Sequence, residues 1–134
     1  MPAATRAQQP PVQQKTELPP EVYRQAVDQA DLAISITDPK ANILFANDAF
    51  TRVTGYAQGE IVGRNESTLS NHTTPPALYQ EMWTELAAQR PWHGRLLNRR
   101  KDGELYLAEL TISPVVDAAG RTTHFLGMHR DITE

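Results

Sequence analysis

Gly63-Arg64-Asn65-Glu66-Ser67-Thr68-Leu69-Ser70 is the stretch on which the reading of this chain turns, together with Leu96-Leu97-Asn98-Arg99-Arg100-Lys101-Asp102-Gly103 and Phe125-Leu126-Gly127-Met128-His129-Arg130-Asp131-Ile132-Thr133. The first closes a run of short helical pieces and carries an acid, Glu66, in a region expected to pack over a sheet. If buried, that carboxyl has a raised pKa or accepts several donors; if exposed, it is an ordinary solvated acid. The other two stretches alternate as strands. Period two puts Asn98 on one face with Trp92, Gly94 and Leu96, the more apolar side. A buried amide without partners costs roughly 1 to 3 kcal/mol, so Asn98 needs a backbone, water or ligand partner. In the last strand Phe125, Gly127 and His129 share a face, and a glycine there permits close approach by a flat ligand. A histidine so placed is ordinarily a satisfied core residue.

Working outward, Ala33 to Thr37 and Ile43 to Ala46 read as strands joined by Asp38-Pro39-Lys40-Ala41-Asn42, whose Asp, Pro and Asn are turn formers. The first strand puts Ala33, Ser35 and Thr37 on one face and Ile34 and Ile36 on the other, so both faces are expected to be covered. Ser35 then looks inward, either as a small packing residue or as a hydroxyl able to donate or accept. Asn47 caps a short helix through Thr54, which Gly55 stops. Leu78, Met82, Trp83, Leu86 and Ala87 keep helical spacing from Pro75 or Pro76 to about Gln89, the longest helix. Strands follow near Trp92 to Arg100, Leu105 to Val116 and Thr122 to Arg130.

At the other end, Met1 to about Glu17 is rich in Gln, Pro and Ala without apolar periodicity, a composition that cannot offset its ordering entropy. The division is a disordered leader over residues 1–18, a cap helix over 19–31 and a sensor domain over 32–134. Val22, Tyr23, Ala26, Val27 and Ala30 form one stripe of the cap helix. That helix is expected to lie on the outer sheet face against Ile34 and Ile36. The fold class is α+β.

The chain has 134 residues, 40% of them hydrophobic, enough for one modest core. A formal net charge of −3 gives no basic excess for nucleic acid or anionic membrane. No cysteine is present, which removes disulfides and thiolate nucleophiles together. No window reaches the roughly 18 consecutive apolar residues of a membrane helix, so a cytoplasmic piece is expected. His72, His93, His124 and His129 lack metal spacing, and no nucleophile sits with a recognisable base, so an independent enzyme is not expected.

This order of elements, with Arg99-Arg100-Lys101-Asp102-Gly103 before one strand and Asp117-Ala118-Ala119-Gly120-Arg121 before the last, resembles a PAS domain over roughly residues 21 to 134. The segment from Ser35 through Asp131 is similar to the flavin-binding PAS domains of nitrogen-fixation regulatory (anti-activator) proteins. The likeness is densest at Ala33-Ile34-Ser35-Ile36-Thr37-Asp38, Lys40-Ala41-Asn42-Ile43-Leu44, Thr73-Thr74-Pro75 and Met128-His129-Arg130-Asp131.

That resemblance implies a five-stranded antiparallel sheet with helices over one face and the cap helix on the other. It also implies FAD, with FMN less favoured, between the sheet and the long helix. Asn98 would then bond the polar edge of the isoalloxazine. Ser35 and Glu66 would sense its N5 proton, Trp83 would line the pocket, and Asn65 and His129 would complete the cofactor set. Light-sensing relatives carry a reactive cysteine where this chain has Glu66. They have a second flavin-contacting asparagine at Ala108, a relaying glutamine at His129 and a phosphate-gripping arginine at Ser67. The resemblance therefore points to a redox sensor. Its implied partners are downstream signalling domains of a regulator, and a second copy bound through the cap helix and outer sheet face. A cofactor-free interaction module is the alternative. A haem sensor is disfavoured because the long helix carries no histidine.

Overall fold

The computed structural model describes residues 17–133; nearly all of the leader expected over 1–18 lies outside them. In chain order the elements are α1 (Pro20–Gln29), β1 (Ala33–Thr37), β2 (Ile43–Ala46), α2 (Asp48–Thr54), α3 (Gln58–Ile61), a 3-10 turn (Glu66–Leu69), α4 (Pro76–Ala87), β3 (Trp92–Arg99), β4 (Leu105–Val116) and β5 (Thr122–Asp131). The five strands form one sheet in the order β2-β1-β5-β4-β3. Every neighbouring pair is antiparallel. The first and last strands of the chain thus meet at the centre, where Ser35 pairs with Gly127 and Ala33 with His129.

Local chemistry explains the boundaries. The Asn47 carboxamide accepts from Phe50 N and caps α2, and Gly55 ends the helix at φ 83°. Only glycine takes that left-handed conformation without cost. Pro76 opens α4 with its ring angle already helical, and the helix stops at Ala87 because Gln89 turns to φ 61°.

Asn47 does more than cap. It is 1% exposed, and its oxygen also accepts from Ile34 N at 2.9 Å, while its nitrogen donates to Val27 O at 2.8 Å and Leu32 O at 3.0 Å. One fully bonded amide therefore ties α1, β1 and α2 together.

The expected cover of the outer face by the N-terminal helix is realised only in part. Ile34 is buried and Ile36 is half-buried, yet α1 buries none of its own residues. Its C-terminal end is held by Asn47 and by packing on α2, and Arg24 lies 5.8 Å from the Phe45 ring centroid. Val22 and Tyr23 stay exposed because the helix is fastened at one end of the sheet.

The core is in two pieces. Ala33, Ile43, Ala46, Phe50, Ile61 and Leu69 form one, under α2 and α3. Met82, Leu86, Trp92, Leu96 and Phe125 form the other, between α4 and the β3 side of the sheet.

Candidate functional site

Between the two cores lies a cavity of about 380 Å³, at the low end of the roughly 300 to 1,000 Å³ usual for small-molecule sites. Its floor is the inner face of the sheet, its roof is α4, and its third wall is the 3-10 turn. The six residues singled out in the sequence, Ser35, Asn65, Glu66, Trp83, Asn98 and His129, all line it. They come from β1, the 3-10 turn and its capping residue, α4, β3 and β5, so no single segment of the chain forms the site.

Ser35 donates its hydroxyl to Glu66 Oε2 at 2.6 Å. Glu66 is aimed there because its own N–H bonds Ala41 O and because Asn65 caps the turn behind it. The Asn65 oxygen accepts from Ser67 N, and its nitrogen donates to Lys40 O and Asn42 Oδ1. Asn65 thus positions Glu66, and both ends of its amide are already bonded. The residue Glu66 is half-buried overall, but its carboxyl points inward. Burial pushes that carboxyl above its ordinary pKa, and the Ser35 hydroxyl partly opposes the shift.

Gly127 belongs to this wall. A methyl carbon added to it would stand 3.1 Å from Ser35 Oγ. The glycine expected to admit a flat ligand therefore also leaves room for the Ser35 side chain opposite it.

At the other end of the floor, His129 is 5% exposed and shares a bond of 3.1 Å between its Nε2 and the Tyr106 hydroxyl. The two rings stack with centroids 6.0 Å apart, and Phe50 meets His129 edge-on. Burial lowers the imidazole pKa to about 4, so the ring is neutral near pH 7. Burial raises the Tyr106 phenol to about 12, against the opposing pull of Asn98 and Arg100.

Sequence reasoning missed Tyr106, which does not line the cavity but bonds the lining residue His129 from behind. It pairs with Asn98 across the ladder, and its burial follows from that register. Asn98 is itself buried beside it at the cavity wall. Trp83 stands at the roof, partly exposed, with its ring edge-on to Phe125 at 5.7 Å.

Chemically, the cavity suits a flat heteroaromatic ring. Apolar faces come from Leu96, Ile112, Phe125 and α4, and hydrogen-bonding groups that can switch between donor and acceptor stand at the edges. No cluster of His, Cys, Asp and Glu among the described residues has the geometry of a metal site. Among these residues no helix is long and apolar enough to cross a membrane.

Comparison with known proteins agrees with this architecture. The family model described as PAS fold matches residues 21–132. The nitrogen fixation regulatory protein of Klebsiella oxytoca is 44% identical over 118 residues, covering 88% of this chain and 24% of that protein. The blue-light-activated histidine kinase of Brucella canis is 38% identical over 114 residues, covering 83% of this chain and 23% of the kinase. The chain thus spans about a quarter of the length of these relatives. Among solved structures, an RNA-binding light-oxygen-voltage receptor superposes with a TM-score of 0.80 at 31% identity, covering 88% of this chain and 37% of that one. A light-oxygen-voltage domain, described in connection with a flavin analogue that sheds light on its mechanism, superposes with a TM-score of 0.75 at 29% identity, covering 84% of this chain and 86% of that domain. With the five-stranded antiparallel sheet, the helical roof and the cavity between them in place, the chain belongs to the PAS-fold family.

Proposed function

We propose that this domain is the flavin-binding redox sensor of a regulatory protein, holding FAD between the sheet and α4. The observation that carries the reading is the part-buried Ser35–Glu66 hydrogen bond at the wall of a largely apolar cavity. Bound there, FAD supplies a redox couple whose ring nitrogen N5 accepts a hydrogen bond when oxidised and donates one when reduced.

The protein's part is to answer that reversal. Ser35 can donate to an ionised Glu66 or accept from a protonated one, and the raised pKa of Glu66 brings the two arrangements closer in energy. Asn98 bonds the polar edge of the ring, Trp83 covers it from α4, and neutral His129 closes the floor. Asn65 holds Glu66 in place. Relatives and structural neighbours whose names speak of light or flavin support this cofactor class. The absence of any cysteine leaves no thiol for a covalent adduct, which favours redox over light as the input.

The similarity to nitrogen fixation regulatory proteins supports a role in controlling nitrogen fixation, which we place in the cytoplasm. The output would pass to downstream domains of the same regulator, histidine-kinase-like in type. The exposed stripe of α1 and the outer sheet face favour a homodimer. A cofactor-free interaction module is the second reading, favoured by the same exposed apolar side chains.

The test is the visible spectrum of the purified protein in air and after anaerobic reduction, with the mass of the released chromophore. A yellow protein that bleaches on reduction, recovers in air and releases FAD is expected. A colourless protein that also fails to take up added flavin would leave the interaction module. Glu66→Ala should keep the flavin yet lose the redox-dependent change in protease susceptibility, whereas Asn98→Ala should weaken binding about tenfold, the loss of one good hydrogen bond.

A further inference from the structure

The titratable side chains among the described lining residues are Glu66, His72, Tyr79 and His129, and none of the described lining residues is Lys or Arg. Two of these four, Glu66 and His129, form the buried polar walls already described. The lining residues that are themselves exposed are Ser67, His72 and Trp83, so the cavity opens past them. Any substituent leaving a bound ring meets solvent there. His72 is the basic side chain among these exposed lining residues, and it is solvated; its backbone N–H is already bonded to Ser70 Oγ.

A phosphate gains binding energy from charge-assisted bonds to Arg, Lys or oriented N–H groups. An anion lying in water beside an exposed imidazole gains little, because salt and solvent screen the contact. The cavity volume points the same way, since about 380 Å³ accommodates a tricyclic ring and leaves a dinucleotide tail outside.

We propose that this site recognises the isoalloxazine ring alone and does not discriminate among the tails that ring carries, so that riboflavin, FMN and FAD bind with affinities within about threefold of one another. The inference rests on the flavin reading above. The flavin found in the protein then follows from which one the cell supplies in excess, and recognition of a phosphate contributes nothing to the choice.

The test is titration of the flavin-free protein with riboflavin, FMN and FAD, followed by quenching of flavin fluorescence, at low and at high salt. Three dissociation constants within threefold, unmoved by salt, are expected. FMN or FAD binding more than tenfold tighter than riboflavin, or binding that weakens steeply with salt, would overturn the proposal while leaving the flavin reading intact. Failure of all three to bind would overturn both. A gain-of-function variant adds an independent arm. Ser67→Arg places a cation at the rim and should make FMN and FAD about tenfold tighter than riboflavin, with a new salt dependence. No such preference would mean that the tail does not leave past Ser67, and the assignment of the exit would fall.

Discussion

Two buried titratable groups face one cavity and respond to pH in opposite directions. His129 has its pKa lowered from 6.5 to about 4, so between these values the unfolded chain binds the proton and the folded domain does not. Stability is therefore complete above pH 6.5 and falls as pH drops toward 4. The expected loss approaches about 3 kcal/mol, and His129→Gln, which can still bond the Tyr106 hydroxyl, should abolish most of it. Urea unfolding at pH 5 and pH 7.5 measures the difference; an unchanged acid limb in the variant would contradict the burial of a neutral imidazole. Glu66 has its pKa raised, so the folded domain holds the proton longer. Its contribution declines as pH rises from the ordinary carboxylate value through the folded one. Glu66→Gln should flatten that decline and make the domain more stable at pH 8, where the wild type must keep a buried carboxylate. Equal stability of the two proteins at pH 8 would argue that the carboxyl is solvated.

Between residues and fold stand the joints of the elements. Asn47 satisfies two backbone donors and two backbone acceptors, from α1, β1, α2 and the α1–β1 connection. Asn47→Ala leaves those groups buried and unpaired, a cost of roughly 1 to 3 kcal/mol. Its first sign should be fraying of α1, none of whose own residues is fully buried; amide exchange of Val22 to Gln29 faster than that of α2 would register this. Gly55→Ala tests the other end of α2. The residue must keep φ near 83° and bring its methyl carbon 3.3 Å from Lys101 Cβ, so a loss of about 1 kcal/mol is expected in chemical denaturation.

Across the domain, Arg100 connects parts that are distant in sequence. Its guanidinium donates to Val53 O on α2, to Glu104 in the β3–β4 hairpin and to Asp131 at the end of β5, and it lies 4.4 Å from the Tyr106 ring centroid. It therefore ties together α2, the buried Tyr106 ring and the end of β5. Arg100→Met keeps the stem over Tyr106 but drops the bonds, and a loss of roughly 1 to 3 kcal/mol is expected in thermal or urea unfolding. The exposed Val22 and Tyr23 give the proposed homodimer its test. Val22→Asp with Tyr23→Asp should convert a dimer to a monomer in sedimentation equilibrium without lowering the melting temperature of the monomer, because neither side chain is buried in it. A wild type that is monomeric at every concentration would remove the dimer.

The strand and helix limits were readable along the chain because their causes are local: period-two alternation in Trp92 to Arg99, an Asn cap and a Gly stop around α2, proline at the start of α4. The inward direction of Ser35, Asn98 and His129 followed from the same alternation, and the family resemblance of the Gly63 to Ser70 stretch singled out Glu66. What local pattern did not contain is pairing between distant segments. Only the packing of the 3-10 turn against β1 brings Glu66 within 2.6 Å of Ser35, and only the β3–β4 register sets Tyr106 beside Asn98 and under Arg100. The partial cover of the outer face by α1 is likewise a tertiary outcome. Its apolar stripe is plain in the sequence, but where a stripe docks depends on which surface can hold its end, and here that holder is one buried amide, Asn47.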